Sequence, residues 1–374
     1  MLDLINYKNI KERMFFENII VGAGLAGSTI ARLLADKGED ILIIDKRSHI
    51  AGNTYDFLDE NEILVQKYGP HIFHTNNEEV WAFLSRFTEW NNYTHRVLAC
   101  VDGKKVSVPI NQDTINILYS KSYDTEELIE FYNNQKIDIA EIKNSRDVIV
   151  SQVGEDIYEK IFKNYTKKQW GVYPDELEPE VIARVPVRTN NDSRYFTDRY
   201  QGMPQEGYTR MIQNMLDHPK IKILLNTDFL EIQNELKFEK LIFTGCIDEF
   251  FKFKFGKLPY RCLNFKFETV DKEFYQEAAV VNYPNDYDFT RITEFKHWTY
   301  QKRPNTTIVK EYSSAEGDPY YPVPQKENYK LYEKYKKEAE SLEKIYFAGR
   351  LGCYKYFNMD KVVEESMKLF HTLY

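Results

Sequence analysis

Cysteine is scarce in this sequence, with four residues among 374. Cys100, Cys246, Cys262 and Cys353 stand far apart and form no Cys-x-x-Cys pair, which argues against a zinc site and for a reducing, cytoplasmic setting. No apolar run is long enough to span a membrane, and the N-terminus lacks the apolar core of a signal peptide. We therefore expect a cytoplasmic protein with no membrane span.

Basic charge is also in deficit, since 50 Lys and Arg stand against 58 Asp and Glu, for a net charge of -8. This balance, with no long Lys/Arg run, argues against nucleic acid as the partner. An anionic small ligand stays open, because a few local arginines outweigh a global charge. Aromatic residues are plentiful at 15%. A tyrosine-rich core and surface is the plainer explanation, and a ring-lined cleft for a flat ligand is the alternative.

The segment from Phe16 to Asp45 predicts a strand–helix–strand unit. Phe16–Val21 has the pattern of a short buried strand, a helical pattern follows, and Asp40–Ile44 is a second apolar strand. The unit is about 30 residues long, which is the usual length of a β-α-β unit that binds a dinucleotide.

The glycine motif between these strands explains what the unit does. Gly22 allows a tight turn, Gly24 lets a pyrophosphate approach the backbone, and Gly27 lets helix and strand pack closely. Ala26 lies in the same turn, where the helix N-terminus supplies N–H groups and partial positive charge. Asp45 stands where an acid binds ribose hydroxyls. The motif predicts a dinucleotide site, and a turn that serves packing alone is the weaker alternative.

Three further segments favour FAD, bound non-covalently, over NAD. The loop from Lys46 to Asn53 contains basic residues and glycine, which is typical of a loop along the FAD pyrophosphate. Phe347–Arg350 predicts a second strand-to-helix approach, and Leu241–Gly245 predicts the returning strand of the same domain.

The pattern of elements predicts an α/β fold in which a Rossmann-type FAD-binding domain carries an inserted helical bundle and an antiparallel β-sheet domain. We interpret residues 1–13 as a leader before the fold begins at Met14. The predicted boundaries are 14–80, about 206–250 and 338–374 for the FAD-binding domain, 111–182 for the helical domain, and 81–110, 183–205 and 251–337 for the antiparallel sheet and substrate domain.

Seven longer strings are far more specific than the glycine motif. They are Tyr68-Gly-Pro-His71-Ile72-Phe-His74-Thr75, Tyr165-Thr166-Lys-Lys-Gln-Trp170-Gly171, Arg184-Val-Pro-Val-Arg188, Tyr195-Phe-Thr-Asp-Arg-Tyr-Gln-Gly202, Pro319-Tyr320-Tyr321-Pro322, Gly349-Arg350-Leu351 and Tyr354-Lys-Tyr356-Phe357-Asn358-Met359-Asp360. From Met14 to the C-terminus the chain closely resembles bacterial UDP-galactopyranose mutases.

The resemblance implies an isomerase that interconverts UDP-galactopyranose and UDP-galactofuranose on reduced FAD. In that family, flavin N5 attacks the anomeric carbon, UDP leaves, and the flavin–sugar adduct opens and recloses as the other ring. The cofactor carries the chemistry, while the protein positions the sugar and holds the diphosphate. The resemblance also implies a UDP-galactose-type nucleotide sugar as ligand and a homodimer.

The resemblance assigns roles to individual residues. The two arginines that match the family's catalytic, diphosphate-binding pair are Arg184, on a mobile loop, and Arg291. The positions that match its phosphate-binding tyrosines are Tyr195, Tyr321 and Tyr356. The positions that match its uridine and nucleotide contacts are Phe162, Tyr165, Thr166, Trp170 and Asn282. The positions that match its flavin contacts are His71, Ile72, Arg350, Phe357, Asn358, Met359, Asp360, Lys361 and Val362.

The chain departs from the family pattern at three places. Many members have two glycines at Ala51-Gly52, Asp at Asn358, and Asn at His95, which stands close to the expected sugar or nucleotide position. The last change leaves open whether an N-acetylgalactosamine nucleotide is accepted. No third ligand is spaced near His71 and His74, so we expect no metal.

Two other functions remain as hypotheses on the same scaffold. One is a redox flavoenzyme of the amine-oxidase type, which would consume a reductant or oxidant in each cycle. The other is a non-catalytic sugar-nucleotide binder, which would bind UDP without isomerising the sugar.

Overall fold

A computed structural model of the chain describes residues 2–8, 15–183 and 185–373. Arg184, one of the two predicted diphosphate arginines, lies outside the described residues. The first large sheet has six strands, all parallel to their neighbours. Their order across the sheet is Asp3–Leu4, Ile221–Leu224, Ile41–Ile44, Phe15–Val21, Lys237–Phe243 and Ile345–Phe347.

Both predicted strands of the glycine unit are confirmed, with the helix Leu25–Asp36 between them. All four residues of Ile41–Ile44 are buried, as expected for a parallel strand covered on both faces. The parallel sheet with its strand–helix–strand unit confirms the predicted Rossmann-type α/β class.

The interpretation of the N-terminus as a leader outside the fold was wrong for its first residues. Asp3–Leu4 is the edge strand of the parallel sheet and pairs with Ile221–Leu224, and Ile5 donates its backbone N–H to the Ile223 carbonyl at 2.9 Å. A two-residue strand with both side chains exposed is too short to show the alternation that identifies strands in a sequence.

The second large sheet has seven strands. Their order is Pro319–Pro322, Tyr260–Val270, Thr306–Ser314, Arg291–Glu294, Val280–Asn282, Val97–Val101 and Lys104–Val108. Strands are present in the segment 251–337, where a sheet was predicted, but the sheet is mixed, because Val280–Asn282 pairs parallel with Val97–Val101. The prediction of a purely antiparallel sheet was wrong at this pair, since strands so distant in sequence are not held antiparallel by a hairpin.

The predicted helical segment contains helices at Gln112–Tyr119, Thr125–Gln135, Ser145–Ile157, Asn164–Trp170 and Glu180–Ala183, with a π-helical turn at Tyr158–Lys163 and a 3-10 turn at Pro174–Glu176. The remaining α-helices include Glu78–Leu84, Tyr208–Leu216, Phe229–Ile232, Ile247–Phe250, Lys296–Thr299, Lys326–Glu340, Gly349–Gly352 and Met359–Leu373. Short strand pairs join Asp56–Leu58 to Leu64–Gln66 and Phe73–Thr75 to Tyr200–Gly202, and 3-10 turns lie at Gly52–Thr54 and Gln233–Glu235.

The C-terminal segment brings the two large sheets together. The helix Met359–Leu373 packs against Leu25–Asp36 beside the parallel sheet, while Gly349–Gly352 contacts the strand Pro319–Pro322 of the mixed sheet. The candidate site lies where these elements meet. None of the described helices is long and apolar enough to cross a membrane.

Candidate active site

The first of two adjoining cavities has a volume of about 220 Å³ and lies at the carboxyl ends of the strands Phe15–Val21 and Ile41–Ile44. Gly22 has φ +105°, and a Cβ there would lie 2.1 Å from Thr244 Oγ1. A Cβ on Gly27 would lie 2.0 Å from the Gly22 carbonyl oxygen. No side chain larger than hydrogen fits at either glycine, so the tight turn and the close helix packing both require them.

Asp45 holds the glycine loop in place. Its Oδ2 accepts the Ala23 backbone N–H and its Oδ1 accepts the Arg47 backbone N–H, both at 2.8 Å. The side chain is 7% exposed and lines the cavity. Each carboxylate oxygen keeps a further lone pair that a ribose hydroxyl could use.

The loop from Ala51 to Asn53 faces the glycine turn. A Cβ on Gly52 would lie 2.8 Å from the Gly24 Cα. Ala51 has φ +71°, a left-handed conformation that glycine adopts at lower cost. The departure from two glycines therefore stores backbone strain at Ala51. Small residues, an acid and a helix N-terminus fit the pyrophosphate and ribose of a dinucleotide.

The second cavity has a volume of about 440 Å³. It is lined by side chains from the mixed sheet, the helical segment and the C-terminal segment. The two cavities share His71, Arg350 and Met359. A ligand filling the first cavity could therefore reach a ligand in the second.

One end of this cavity is formed by the helix Asn164–Trp170 and the π-helical turn before it. Phe162, Tyr165, Thr166 and Trp170 all line the cavity, because spacings of three and four residues place side chains on one helix face. The Trp170 ring centroid lies 5.5 Å from that of Tyr356 and 6.2 Å from that of Tyr321. This end offers apolar ring surface to a flat group, and π-helical turns are common at functional sites.

Arg291 provides a fixed cation in the cavity. Its Nε and one terminal nitrogen donate to Glu311 Oε2 at 3.0 and 2.8 Å, and the side chains are 20% and 3% exposed. Burial acts to lower the pKa of Arg291, but the Glu311 carboxylate outweighs it, so the pKa is raised. The guanidinium stays charged, and within the described part of the chain its bonds to Glu311 use only Nε and one terminal nitrogen, so the other terminal nitrogen can bind an anion.

The sequence interpretation missed Glu311. It lies directly opposite Arg291 on the neighbouring strand Thr306–Ser314. The pairing depends on strand register, which a single sequence does not show.

Arg350 lies at the junction of the cavities. It donates to the Phe357 carbonyl at 2.6 and 3.2 Å, and its guanidinium lies 5.1 Å from the Tyr321 ring and 5.5 Å from the Tyr356 ring. Within the described residues the hydrogen bonds of its guanidinium go to the carbonyls of Phe357 and Tyr320 rather than to a carboxylate. Its positive charge therefore faces the cavities without the direct neutralisation that Glu311 gives to Arg291.

Two histidines border the cavity in neutral form. The Gln66 side chain accepts a hydrogen bond from the His71 backbone N–H at 2.6 Å and donates one to the His71 carbonyl at 3.1 Å. Burial and the nearby Arg350 lower the pKa of His71 to about 4. His95 is 4% exposed, its Nδ1 lies 2.9 Å from the Tyr93 hydroxyl, and burial together with Arg291 lowers its pKa to about 3.

The remaining predicted residues divide by position. Further predicted residues that line the second cavity are Ile72, Tyr195, Asn282, Arg291, Tyr321, Tyr356 and Asn358. Those that line the first cavity are Gly22, Gly24, Ala26, Asp45, Lys46, Asn53 and Val362. Phe357, Asp360 and Lys361 line neither cavity: Lys361 pairs with Glu364 at 2.9 Å, and Phe357 contributes its carbonyl to Arg350. No group of three or more metal-ligating side chains occurs in the part of the chain that is described.

The glycine-lined cavity at the carboxyl edge of a parallel sheet defines this chain as a Rossmann-type dinucleotide-binding protein. Residues 20–87 match the NAD(P)-binding Rossmann-like domain family, and residues 160–356 match the UDP-galactopyranose mutase family. The chain is 41% identical to a probable UDP-galactopyranose mutase of Klebsiella pneumoniae over 97% of its length and 94% of the relative. The chain belongs to the UDP-galactopyranose mutase family of flavoenzymes.

Two further similarities sharpen this placement. A dTDP-fucopyranose mutase of Escherichia coli is 38% identical over 94% of this chain and 96% of the relative. A solved structure of reduced UDP-galactopyranose mutase superposes with a TM-score of 0.80 at 19% identity, covering 96% of this chain and 93% of that one, which shows a shared fold. Family membership along most of the chain favours the mutase over the amine-oxidase alternative.

Proposed function

We propose that this chain interconverts UDP-galactopyranose and UDP-galactofuranose on reduced FAD. The observation that carries the proposal is the shared boundary at His71, Arg350 and Met359, which lets a flavin in the first cavity meet a sugar in the second. The family and the Klebsiella pneumoniae relative support it. Reduced FAD supplies the nucleophile that holds the anomeric carbon while the sugar ring changes size.

The cofactor would rest on backbone groups. The glycine turn at Gly22 and Gly24 and the N-terminus of Leu25–Asp36 would hold the pyrophosphate, and Asp45 would bind a ribose. Lys46 and Asn53 line the same cavity. His71, whose position Gln66 fixes, lines both cavities and would contact the flavin.

The nucleotide would lie across the second cavity with its base against Phe162, Tyr165 and Trp170. Arg291 would bind the diphosphate and stabilise the negative charge that grows as the anomeric bond breaks. Arg350 adds a second cation close by. Burial raises the pKa of Tyr321 to about 12, so its hydroxyl remains a hydrogen-bond donor at neutral pH.

The neutral histidines complete the site. Since His71 and His95 have pKa values of about 4 and 3, both are uncharged at pH 7 and offer hydrogen bonds without adding charge near the sugar. Arg184, which lies outside the described residues, keeps its predicted role as the second diphosphate ligand. We also propose a cytoplasmic location, in keeping with four unpaired cysteines, and a homodimer, which the family resemblance implies.

The test is product analysis on dithionite-reduced protein given UDP-galactofuranose, UDP-N-acetylgalactofuranose or dTDP-fucofuranose. The proposal predicts fast conversion of the first to its pyranose form, and none by oxidised protein. The dTDP sugar tests an alternative substrate, because the Escherichia coli relative is a dTDP-fucopyranose mutase. Binding of UDP without any ring conversion would favour the non-catalytic binder and contradict the proposal.

A further inference from the structure

Arg261 is a buried arginine outside the predicted site. It is the second residue of the strand Tyr260–Val270 and is 8% exposed. Its Nε donates to the Gln169 carbonyl at 2.9 Å and its terminal nitrogen to the Lys168 carbonyl at 3.2 Å. Both carbonyls lie in the last turn of Asn164–Trp170, where a helix leaves its carbonyls without intrahelical partners.

The local backbone makes room for this contact. The pairing register shifts between Arg261 and Cys262, and such irregularities re-aim side chains. Gly171 follows the helix with φ +80°, and a Cβ there would lie 2.8 Å from the guanidinium of Arg261. The glycine at the helix end is therefore required twice, once by its left-handed conformation and once by the arginine beside it.

The charge of Arg261 is balanced by the helix. Among the described residues no ion pair joins it to a carboxylate, and it donates its hydrogen bonds to the two carbonyls of the helix end. The C-terminus of a helix carries partial negative charge, so a cation is stabilised there. Burial lowers the pKa of Arg261, which burial of a cation without a carboxylate partner is expected to do.

The helix that Arg261 caps is the one that bears Tyr165, Thr166 and Trp170. In the mixed sheet, Arg261 also lies opposite Tyr321 on the neighbouring strand, and Tyr321 lines the second cavity. We propose that Arg261 is a positioning residue that fixes the base-binding helix on the mixed sheet and thereby sets the affinity for the nucleoside half of the substrate. The proposal rests on the proposed function, in which that helix binds the base.

A second contact keeps the fold intact when Arg261 is changed. Lys168 Nζ donates to the Tyr283 carbonyl at 2.8 Å, so the helix stays attached to the sheet at another point. Loss of Arg261 should therefore displace the helix end rather than unfold it.

The experiment compares Arg261→Met with wild-type holoenzyme by calorimetry, using UDP and inorganic pyrophosphate as separate probes. We expect UDP to bind roughly tenfold more weakly, as for loss of a charged hydrogen bond, and pyrophosphate to bind as before. Arg261→Lys should recover part of the UDP affinity, since it keeps one cationic donor. Lys310→Met is the matched control, because Lys310 lies on the neighbouring strand and pairs with Glu268 at 2.7 Å.

Unchanged UDP affinity in Arg261→Met would overturn the inference, as would equal weakening of UDP and pyrophosphate. If Arg261→Met does not retain FAD, steady-state kinetics of Arg261→Lys decide. A raised KM with unchanged kcat supports a positioning role, and a fall in kcat alone contradicts it. Failure of the proposed function shows separately, as wild-type protein that binds UDP without converting the sugar.

Discussion

The first cavity, proposed to bind the cofactor (the cofactor cavity), and the second, proposed to bind the substrate (the substrate cavity), meet at three residues. They are lined by different kinds of groups. The first is formed mainly by backbone and small residues, with Gly22, Gly24 and Gly52 within 31 residues of chain. The second is formed by long side chains from segments far apart in sequence. A substitution in the first cavity should therefore act through a steric clash with packed backbone atoms. A substitution in the second cavity should act through loss of a charge, an aromatic ring or a hydrogen-bond donor.

The charged residues of the two cavities are also held by different kinds of groups. In the cofactor cavity Asp45 is engaged by backbone N–H groups, so its role is tied to the loop conformation. In the substrate cavity Arg291 is held by another side chain, Glu311. Substitutions in the two cavities should therefore differ in the kind and the size of their effects.

Gly27→Ala should abolish FAD binding. The new Cβ would lie 2.0 Å from the Gly22 carbonyl oxygen, so the glycine turn must move, and we expect a cost of roughly 3 kcal/mol or more. Bound flavin is measured by absorbance after purification. Gly38→Ala is the control, since no atom lies within 4 Å of its Cβ position, although Gly38, unlike Gly27, has positive φ. A Gly27→Ala protein with full flavin would show that the turn is not under this constraint.

Arg291→Ala should lower turnover by two to three orders of magnitude while the flavin stays bound, since a preorganised donor to a developing anion is worth about 3–4 kcal/mol. Arg291→Lys should rescue poorly, because an ammonium cannot reproduce the guanidinium fork. Steady-state kinetics on reduced protein provide the measurement. Arg199→Ala is the control, because that side chain is 69% exposed.

Because we propose Arg184 as the second diphosphate ligand, Arg184→Ala should lower turnover and raise KM as well. Arg291 lies on a strand of the mixed sheet, so its loss should act mainly on kcat. Wild-type kinetics in either alanine variant would remove that arginine from the diphosphate site.

Trp170→Ala should weaken UDP binding by roughly 1–3 kcal/mol, through loss of ring surface for the base. Trp170 is 3% exposed, so the thermal midpoint is measured alongside affinity by calorimetry. Tyr173→Ala is the control, since that ring follows the same helix and is 39% exposed. Unchanged UDP affinity with a lowered thermal midpoint would assign Trp170 to the core alone.

His95 should make stability depend on pH. Its pKa is about 3 in the folded protein and about 6.5 when unfolded, so between these values the unfolded state binds more protons. The contribution is complete above pH 6.5 and is lost as pH falls, at up to about 1.4 kcal/mol per pH unit. His95→Asn should flatten the fall of unfolding free energy between pH 6.5 and 4.5 in urea titrations. If unfolding free energy falls with pH at the same slope in His95→Asn and in wild type, His95 is not held neutral.

The smallest expected effect concerns the choice of sugar. Because His95 borders the second cavity, His95→Asn should shift the ratio of activities on N-acetylgalactose and galactose nucleotides. The ratio of kcat/KM values on the two furanose substrates provides the measurement. A ratio equal to that of wild type would remove His95 from sugar selection.

The same comparison explains what the sequence revealed. The cofactor cavity depends on Gly22, Gly27 and Asp45, which form one local pattern with a known geometry, so the two strands around it were predicted within one residue. The helix face with Tyr165 and Trp170 was identified through family resemblance rather than through its own periodicity.

What the sequence did not show depends on contacts between distant segments. The Arg291–Glu311 pair requires the register of two strands, and the contact of Arg261 with Gln169 joins a strand to a helix 92 residues earlier. The parallel pair in the mixed sheet and the edge strand at Asp3–Leu4 are likewise set by tertiary pairing. Each of these features arises from three-dimensional packing that overrides local pattern.

The central claim is that a flavin in the first cavity acts on a sugar in the second without net oxidation or reduction. The most direct test is to reduce the enzyme once, without oxygen, with one equivalent of dithionite, and to count the UDP-galactofuranose molecules converted. The account predicts many conversions per reducing equivalent, with the flavin still reduced at the end. Conversion that stops at one sugar per reducing equivalent, with oxidised flavin accumulating, would contradict it.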